Sequence, residues 1–146
     1  MFYFAYGSNL NKQRMKKRCK GAKFLQPYTL NGYKLIFSYR DLKEPYGYAN
    51  IERRKKFKVP GAIWKITKDD EKKLDGYEGF PLSYQKDYFN WKDEKVLFYI
   101  QNIYTKKKPN SYYLQIIIKG YKDCGLDLNY LKRRISFYTT NYDIKW

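Results

Sequence analysis

The sequence predicts an α+β fold built on one strongly curved or closed sheet. Three observations point there: short aromatic and β-branched runs crowd the stretch up to Tyr104, helical periodicity takes over only after Pro109, and no repeat or linker divides the chain. With 146 residues, 43% of them hydrophobic and 21% aromatic, one domain over residues 1–146 has ample material for a core. Wrapping of the sheet and the closing helices would cover its edges.

Taken in order, Phe2 to Tyr6 reads as a buried strand halted by Gly7-Ser8-Asn9, and Asn11 to Arg18 reads as a helix capped by Asn9 or Asn11. The loop therefore sits at a helix N-terminus, where backbone N–H groups lack partners. Tyr28 to Phe37, Tyr48 to Glu52 and Val59 to Ile66 are predicted strands, with the basic stretch Arg53 to Lys58 as a solvated loop between the last two. Thr67, Asp70 and Glu71 start a short helix in which Leu74 and Tyr77 share one face and which stops at Gly79, placing Glu78 at its C-terminal edge. Tyr84 to Trp91 and Val96 to Tyr104 are the arms of an antiparallel hairpin with a four-residue loop, Lys92 to Lys95. Lys106 to Lys108 reads as a second solvated loop. Tyr113, Ile116, Ile117, Gly120 and Tyr121, then Leu128, Leu131, Ile135 and Tyr138, recur at helical spacing and predict two closing helices separated near Gly125.

Composition narrows the chemistry. The formal charge of +17, from 31 Lys and Arg against 14 Asp and Glu, invites a polyanion partner. The excess travels with abundant Tyr, Asn, Ile and Phe, however, so coding bias competes as the source of much of it and nucleic-acid binding is the less favoured reading. Histidine is absent, which removes the usual general base and every His metal ligand, and Cys19 and Cys124 lack companions at metal-binding spacing. The N-terminal apolar run is too short for a signal segment and no stretch approaches transmembrane length, so a cytoplasmic location is expected.

Tyr6-Gly7-Ser8-Asn9-Leu10, closing a first strand, resembles the signature loop of the γ-glutamylcyclotransferase family. The resemblance continues through Gly61 to Ile66 and through Leu74-Asp75-Gly76-Tyr77-Glu78-Gly79-Phe80, which looks like the family's segment bearing its acidic residue. Pro109, Tyr112-Tyr113, Ile116-Ile117, Gly120, Gly125-Leu126, Tyr130 and Leu131 are similar to the family's closing region, so nearly the whole chain is covered. The resemblance implies a small, highly curved, barrel-like mixed sheet with flanking helices and a pocket beside the first loop. It also implies a reaction: the α-amino group of a γ-glutamyl amide attacks its own side-chain carbonyl, forms 5-oxoproline and expels the attached amine or amino acid. Neither metal nor cofactor is called for. The implied partner is a small γ-glutamyl substrate, with no membrane, and a homodimer is left open.

Elementary chemistry assigns parts to that reaction. One carboxylate can take the proton of the attacking amine and return it to the leaving nitrogen, and Glu78 is the candidate. Gly7 permits close approach, while the amides of Ser8, Asn9 and Leu10 are candidate donors to an oxyanion or a substrate carboxylate. Tyr6, Tyr84 and Tyr113 are candidates to shape the pocket, although packing alone accounts for Tyr113. Asp75 reads as a surface pairing residue. Ser8 lacks a base for acyl-enzyme chemistry. The polar connection containing Arg40, Asp41, Lys43 and Glu44 has no match in the family pattern. Two other readings compete: removal of a γ-glutamyl cap from a larger metabolite, and a noncatalytic module that holds RNA or another polyanion.

Overall fold

Two long antiparallel strands, β2 (Lys23–Tyr39) and β3 (Tyr48–Lys65), form the backbone of the sheet in the computed structural model, which describes residues 1–40, 43–138 and 142–146. β1 (Phe2–Ala5) lies beside β3, antiparallel, and beside β5 (Glu94–Ile100), parallel. β4 (Gln85–Trp91) continues from β5, and the two-residue β6 (Thr105–Lys106) ends the other side, giving the order β4-β5-β1-β3-β2-β6. The sheet is mixed and curls into a half-barrel, in agreement with the expected α+β class. Val96 to Ile100 are buried at every position because β5 is covered on both faces.

The helices are α1 (Lys12–Arg18), α2 (Lys68–Glu78), α3 (Ser111–Cys124) and α4 (Leu128–Ser136). Each has a side-chain N-cap, from Asn11, Thr67, Asn110 and Asp127 in turn, which satisfies an otherwise orphaned amide. α3 packs on the turn after β1, where Asn11 Nδ2 donates to Ile116 O at 3.2 Å and Cys124 Sγ lies 3.3 Å from Leu10 O. α4 and the residues just after it cover the edge of β2 that short β6 leaves free: Leu35 N donates to Tyr130 Oη in α4, and Phe37 N to Tyr138 Oη beyond its end. Where β3 curls back toward the end of β5, a buried amide network joins them. Gln101 N donates to Asn50 Oδ1 at 2.9 Å, and Asn50 Nδ2 reaches Ser38 Oγ and Gln101 O at 3.1 Å each. No helix among the described residues is long and apolar enough to cross a membrane.

Several local expectations are corrected. Arg53 to Lys58 is part of strand β3, not a loop: the ladder pairs its two ends, Tyr33 with Arg53 and Asn31 with Lys58, and the residues between them bulge out opposite Gly32 with every side chain exposed. The β4–β5 turn has two residues, not four. Lys92 (φ 50°) and Asp93 (φ 62°) both take the left-handed conformation that matches strand twist, and the charged Glu94 and Lys95 already belong to the ladder. β5 stops at Ile100, and Lys106 lies in β6 rather than in a loop. Tyr77 does not share the buried face of Leu74, being 56% exposed where Leu74 is fully buried. The buried stripe of α3 is Leu114, Ile117, Ile118, Gly120, Tyr121 and Cys124, and Tyr113 packs half-buried at its edge, while Ile116 is not fully buried. α4 ends before Tyr138. Asp41 lies outside the described residues.

Candidate active site

The end of β1, the turn behind it, α1, the start of β3, the end of α2 and the start of α3 enclose a cavity of about 440 Å³, within the range of small-molecule sites. Its formation starts at Gly7, where β1 has ended and the chain turns sharply. A Cβ there would lie 2.7 Å from Ala49 Cβ, so only glycine lets the turn come this close to β3. Ser8 to Leu10 then form one 3₁₀ turn in which Leu10 N donates to Gly7 O at 3.0 Å and Asn11 N to Ser8 O at 3.1 Å. That geometry leaves the Ser8 and Asn9 amides without an acceptor inside the turn.

Glu78 arrives from the opposite wall. α2 is started by a reciprocal capping box between Thr67 and Asp70 and stopped by Gly79, whose φ of 64° is the left-handed conformation that terminates a helix. Glu78, the last helical residue, thereby points into the cavity. Its side chain takes part in no hydrogen bond or ion pair among the described residues. Burial raises its carboxyl to about 7, against the opposing pull of Arg18 and Arg14. Asp75, one turn earlier, has other work: it accepts from Tyr99 Oη at 2.6 Å and pairs with Lys86 at 3.0 Å.

Of the sequence candidates, Tyr6, Gly7, Ser8, Asn9, Glu78, Tyr84 and Tyr113 all line this cavity, and Leu10 does not. Leu10 is fully buried and its amide is engaged by Gly7, so it serves as an anchor for the turn. The hydrogen-bond partners decide what each hydroxyl offers. Tyr6 Oη donates to Tyr99 O at 2.6 Å and Tyr84 Oη to Ala49 O at 2.7 Å, which leaves lone pairs as their free capacity. Tyr113 Oη accepts from Ala49 N at 2.9 Å and Tyr3 Oη accepts from Asn9 Nδ2 at 3.0 Å, which leaves both with a hydrogen to give. Burial, reinforced in each case by the nearby charge of Glu78, raises the pKa of all four hydroxyls and keeps them protonated.

Sequence reasoning missed Tyr3, Arg14, Arg18 and Ala49. The two arginines had a readable signal, four residues apart on a helix that begins at the turn and hence on one face of it. Ala49 had none, because it contributes main-chain groups.

The chain is similar to known proteins over most of its length. The sequence profile of the family described as "Gamma-glutamyl cyclotransferase, AIG2-like" matches residues 3–117. The chain is similar to the Gamma-glutamylcyclotransferase of Bos taurus, 30% identical over 150 residues that cover 96% of this chain and 80% of that protein. The protein of the same name from Homo sapiens is 30% identical over 141 residues, covering 90% and 75%. A solved structure titled Gamma-glutamyl cyclotransferase superposes with a TM-score of 0.81 at 26% identity, covering 99% of this chain and 92% of the other.

Proposed function

The chain belongs to the gamma-glutamyl cyclotransferase, AIG2-like family, and from that premise we propose that it converts γ-glutamyl amides to 5-oxoproline and the free amine, with Glu78 as general acid and base. The observation that carries this reading is an unpaired carboxyl held near pKa 7 in the same cavity as the amides of the Gly7–Asn9 turn.

The reaction begins with nucleophile and electrophile in one molecule, so selecting the folded-back conformer removes much of the entropic barrier. The attacking amine must be neutral, which costs about 1–3 kcal/mol near pH 7 for an amine pKa of about 8–9. Glu78 as carboxylate accepts its proton as the new C–N bond forms. As carboxylic acid it then returns that proton to the departing nitrogen as the old C–N bond breaks, so atoms balance without water. A group near pKa 7 is suited to both halves, since neither protonation state dominates at neutral pH.

The transient oxyanion and the α-carboxylate of the glutamyl unit need donors. The Ser8 and Asn9 amides and the free hydrogens of Tyr3 and Tyr113 are the neutral ones in the cavity wall. The α-amino group needs acceptors, which the lone pairs of Tyr6 and Tyr84 supply beside Glu78. The test is direct: purified protein offered a panel of γ-glutamyl amides should yield 5-oxoproline and amine in equal amounts, followed by mass spectrometry. Glu78→Gln should lose about 10²–10⁴-fold in turnover. A variant as active as wild type would remove Glu78 from the mechanism.

A further inference from the structure

A second cleft, of about 470 Å³, shares no residue with the first cavity. Cations dominate its wall: Lys34 of β2, Lys106 to Lys108 from β6 and the chain after it, and Arg134 of α4. Among the described residues, no acidic side chain lines it.

Three separate elements bring these charges together, and main-chain bonds fix them. Lys107 N donates to Phe37 O at 3.0 Å and Gly47 N to Lys108 O at 2.9 Å, so the lysine run is strapped between β2 and the entry to β3. A Cβ at residue 47 would collide with Lys107 O, so glycine is what admits the strap. Arg134 Nε donates to Leu35 O at 3.2 Å, and its guanidinium lies 4.7 Å from the centre of the Phe137 ring. The fork is thereby held while its terminal nitrogens stay available to a ligand.

The neighbouring acid is already engaged. Glu52 accepts from Tyr104 Oη and pairs with Arg54 at 3.0 Å and Lys106 at 3.6 Å. Neither Lys34 nor Lys108 has an ion pair among the described residues. Burial, then the like charges of Arg134 and Lys106, pulls the pKa of Lys34 below the ordinary lysine value. Repulsion at this spot is a folding cost that a multivalent anion would reverse.

We propose that this cleft binds a multiply phosphorylated small molecule, its phosphate chain held by Lys34, Lys106, Lys108 and Arg134. Charges that converge on a hollow from three elements suit a compact polyanion better than an extended backbone, which a stripe would track. A single carboxylate would leave most of the cations unmatched, whereas each phosphate brings more than one negative charge and several acceptor oxygens. The chain of phosphates can arrive free or on a nucleotide. Phe137, 74% exposed at the rim, offers a base a stacking face in the second case. The assignment does not depend on the cyclisation reading.

Inorganic triphosphate and ATP are the probes, titrated by calorimetry at about 0.1 M salt, where charges more than about 10 Å apart are screened. Each should bind at one site per chain. Lys34→Gln/Lys108→Gln should weaken triphosphate about 10- to 100-fold. Arg14→Gln/Arg18→Gln in the first cavity and Lys68→Gln/Lys72→Gln on α2 remove as much charge elsewhere, and both should bind like wild type, as should Glu78→Gln. Neither ammonium of the cleft pair makes a hydrogen bond or ion pair among the described residues, so that variant should melt no lower than wild type. Triphosphate should raise the melting point of wild type and leave that of the cleft variant in place. ATP bound more tightly than triphosphate, with the excess removed by Phe137→Ala, would identify a nucleotide; equal affinities would identify the phosphate chain alone. Absence of binding by wild type, or equal losses in all three double variants, would overturn the proposal. So would a single-stranded RNA oligonucleotide bound more tightly than either probe and released by Lys55→Gln/Lys56→Gln, which would make this surface a nucleic-acid face.

Discussion

Glu78 sets two pH dependences of opposite use. Because its folded pKa is raised to about 7 from an ordinary 4.5, the carboxylate needed to accept a proton accumulates only as pH rises through 7. The pH profile of kcat/KM, corrected for titration of the substrate amine, should therefore carry an ascending limb near pH 7 that disappears in Glu78→Gln. Stability runs the other way. Between about pH 4.5 and 7 the folded protein keeps a proton that the unfolded chain has released, so stability falls as pH rises through that window. Glu78→Gln, neutral throughout, should match wild type near pH 4.5 and exceed it by up to about 3 kcal/mol above pH 7, as read by urea unfolding at both pH values. The residues legible in advance, Glu78 and Gly7 to Asn9, sit in short local motifs with their own capping and turn chemistry. Those missed, Tyr3 and the arginine pair, acquire meaning only when distant walls meet.

At the level of elements, the cavity depends on how closely the Gly7 turn approaches β3. Gly7→Ala places a methyl group 2.7 Å from Ala49 Cβ, so it should cost about 1–3 kcal/mol in unfolding measurements and lower kcat/KM by displacing the Ser8 and Asn9 amides. Ala49→Gly in the same chain should recover both quantities, and failure to recover would place the strain elsewhere. The buried Asn50–Ser38–Gln101 network holds the curl of the sheet. Asn50→Ala leaves Gln101 N without its acceptor and Gln101 O without its side-chain donor, while Ser38 Oγ keeps its bond to Gln101 Oε1, and should cost about 3 kcal/mol in urea unfolding. Strand and helix types were readable from hydrophobic runs and caps. Boundaries were not readable where a long strand carries a bulge, as in the all-exposed Arg53 to Lys58 segment of β3 that the ladder pairs only at its ends, or where a two-residue turn draws Glu94 and Lys95 into strand.

For the molecule as a whole, 31 basic residues against 14 acidic ones make self-repulsion a standing cost of the folded state. The six ion pairs among the described residues engage only a fraction of the cations. The thermal midpoint should therefore rise as sodium chloride is added from low ionic strength to about 0.2 M, where charges farther apart than about 8–10 Å are screened. A falling midpoint would show that local pairs outweigh the net charge. The half-barrel was foreseeable as a class from the order of strands and helices, whereas its curvature depends on register shifts and on contacts such as Asn50 with Gln101 that no local pattern encodes. The tyrosine clamp on residue 49 follows from the same curvature. Tyr84 and Tyr113 grip its carbonyl and its amide, groups that every amino acid except proline possesses, while the neighbouring turn limits its side chain to about one carbon. Glycine and alanine could alternate there with no change in how the two phenols are aimed, so this part of the pocket is stored as an address along a strand, and a search for shared letters would pass over it.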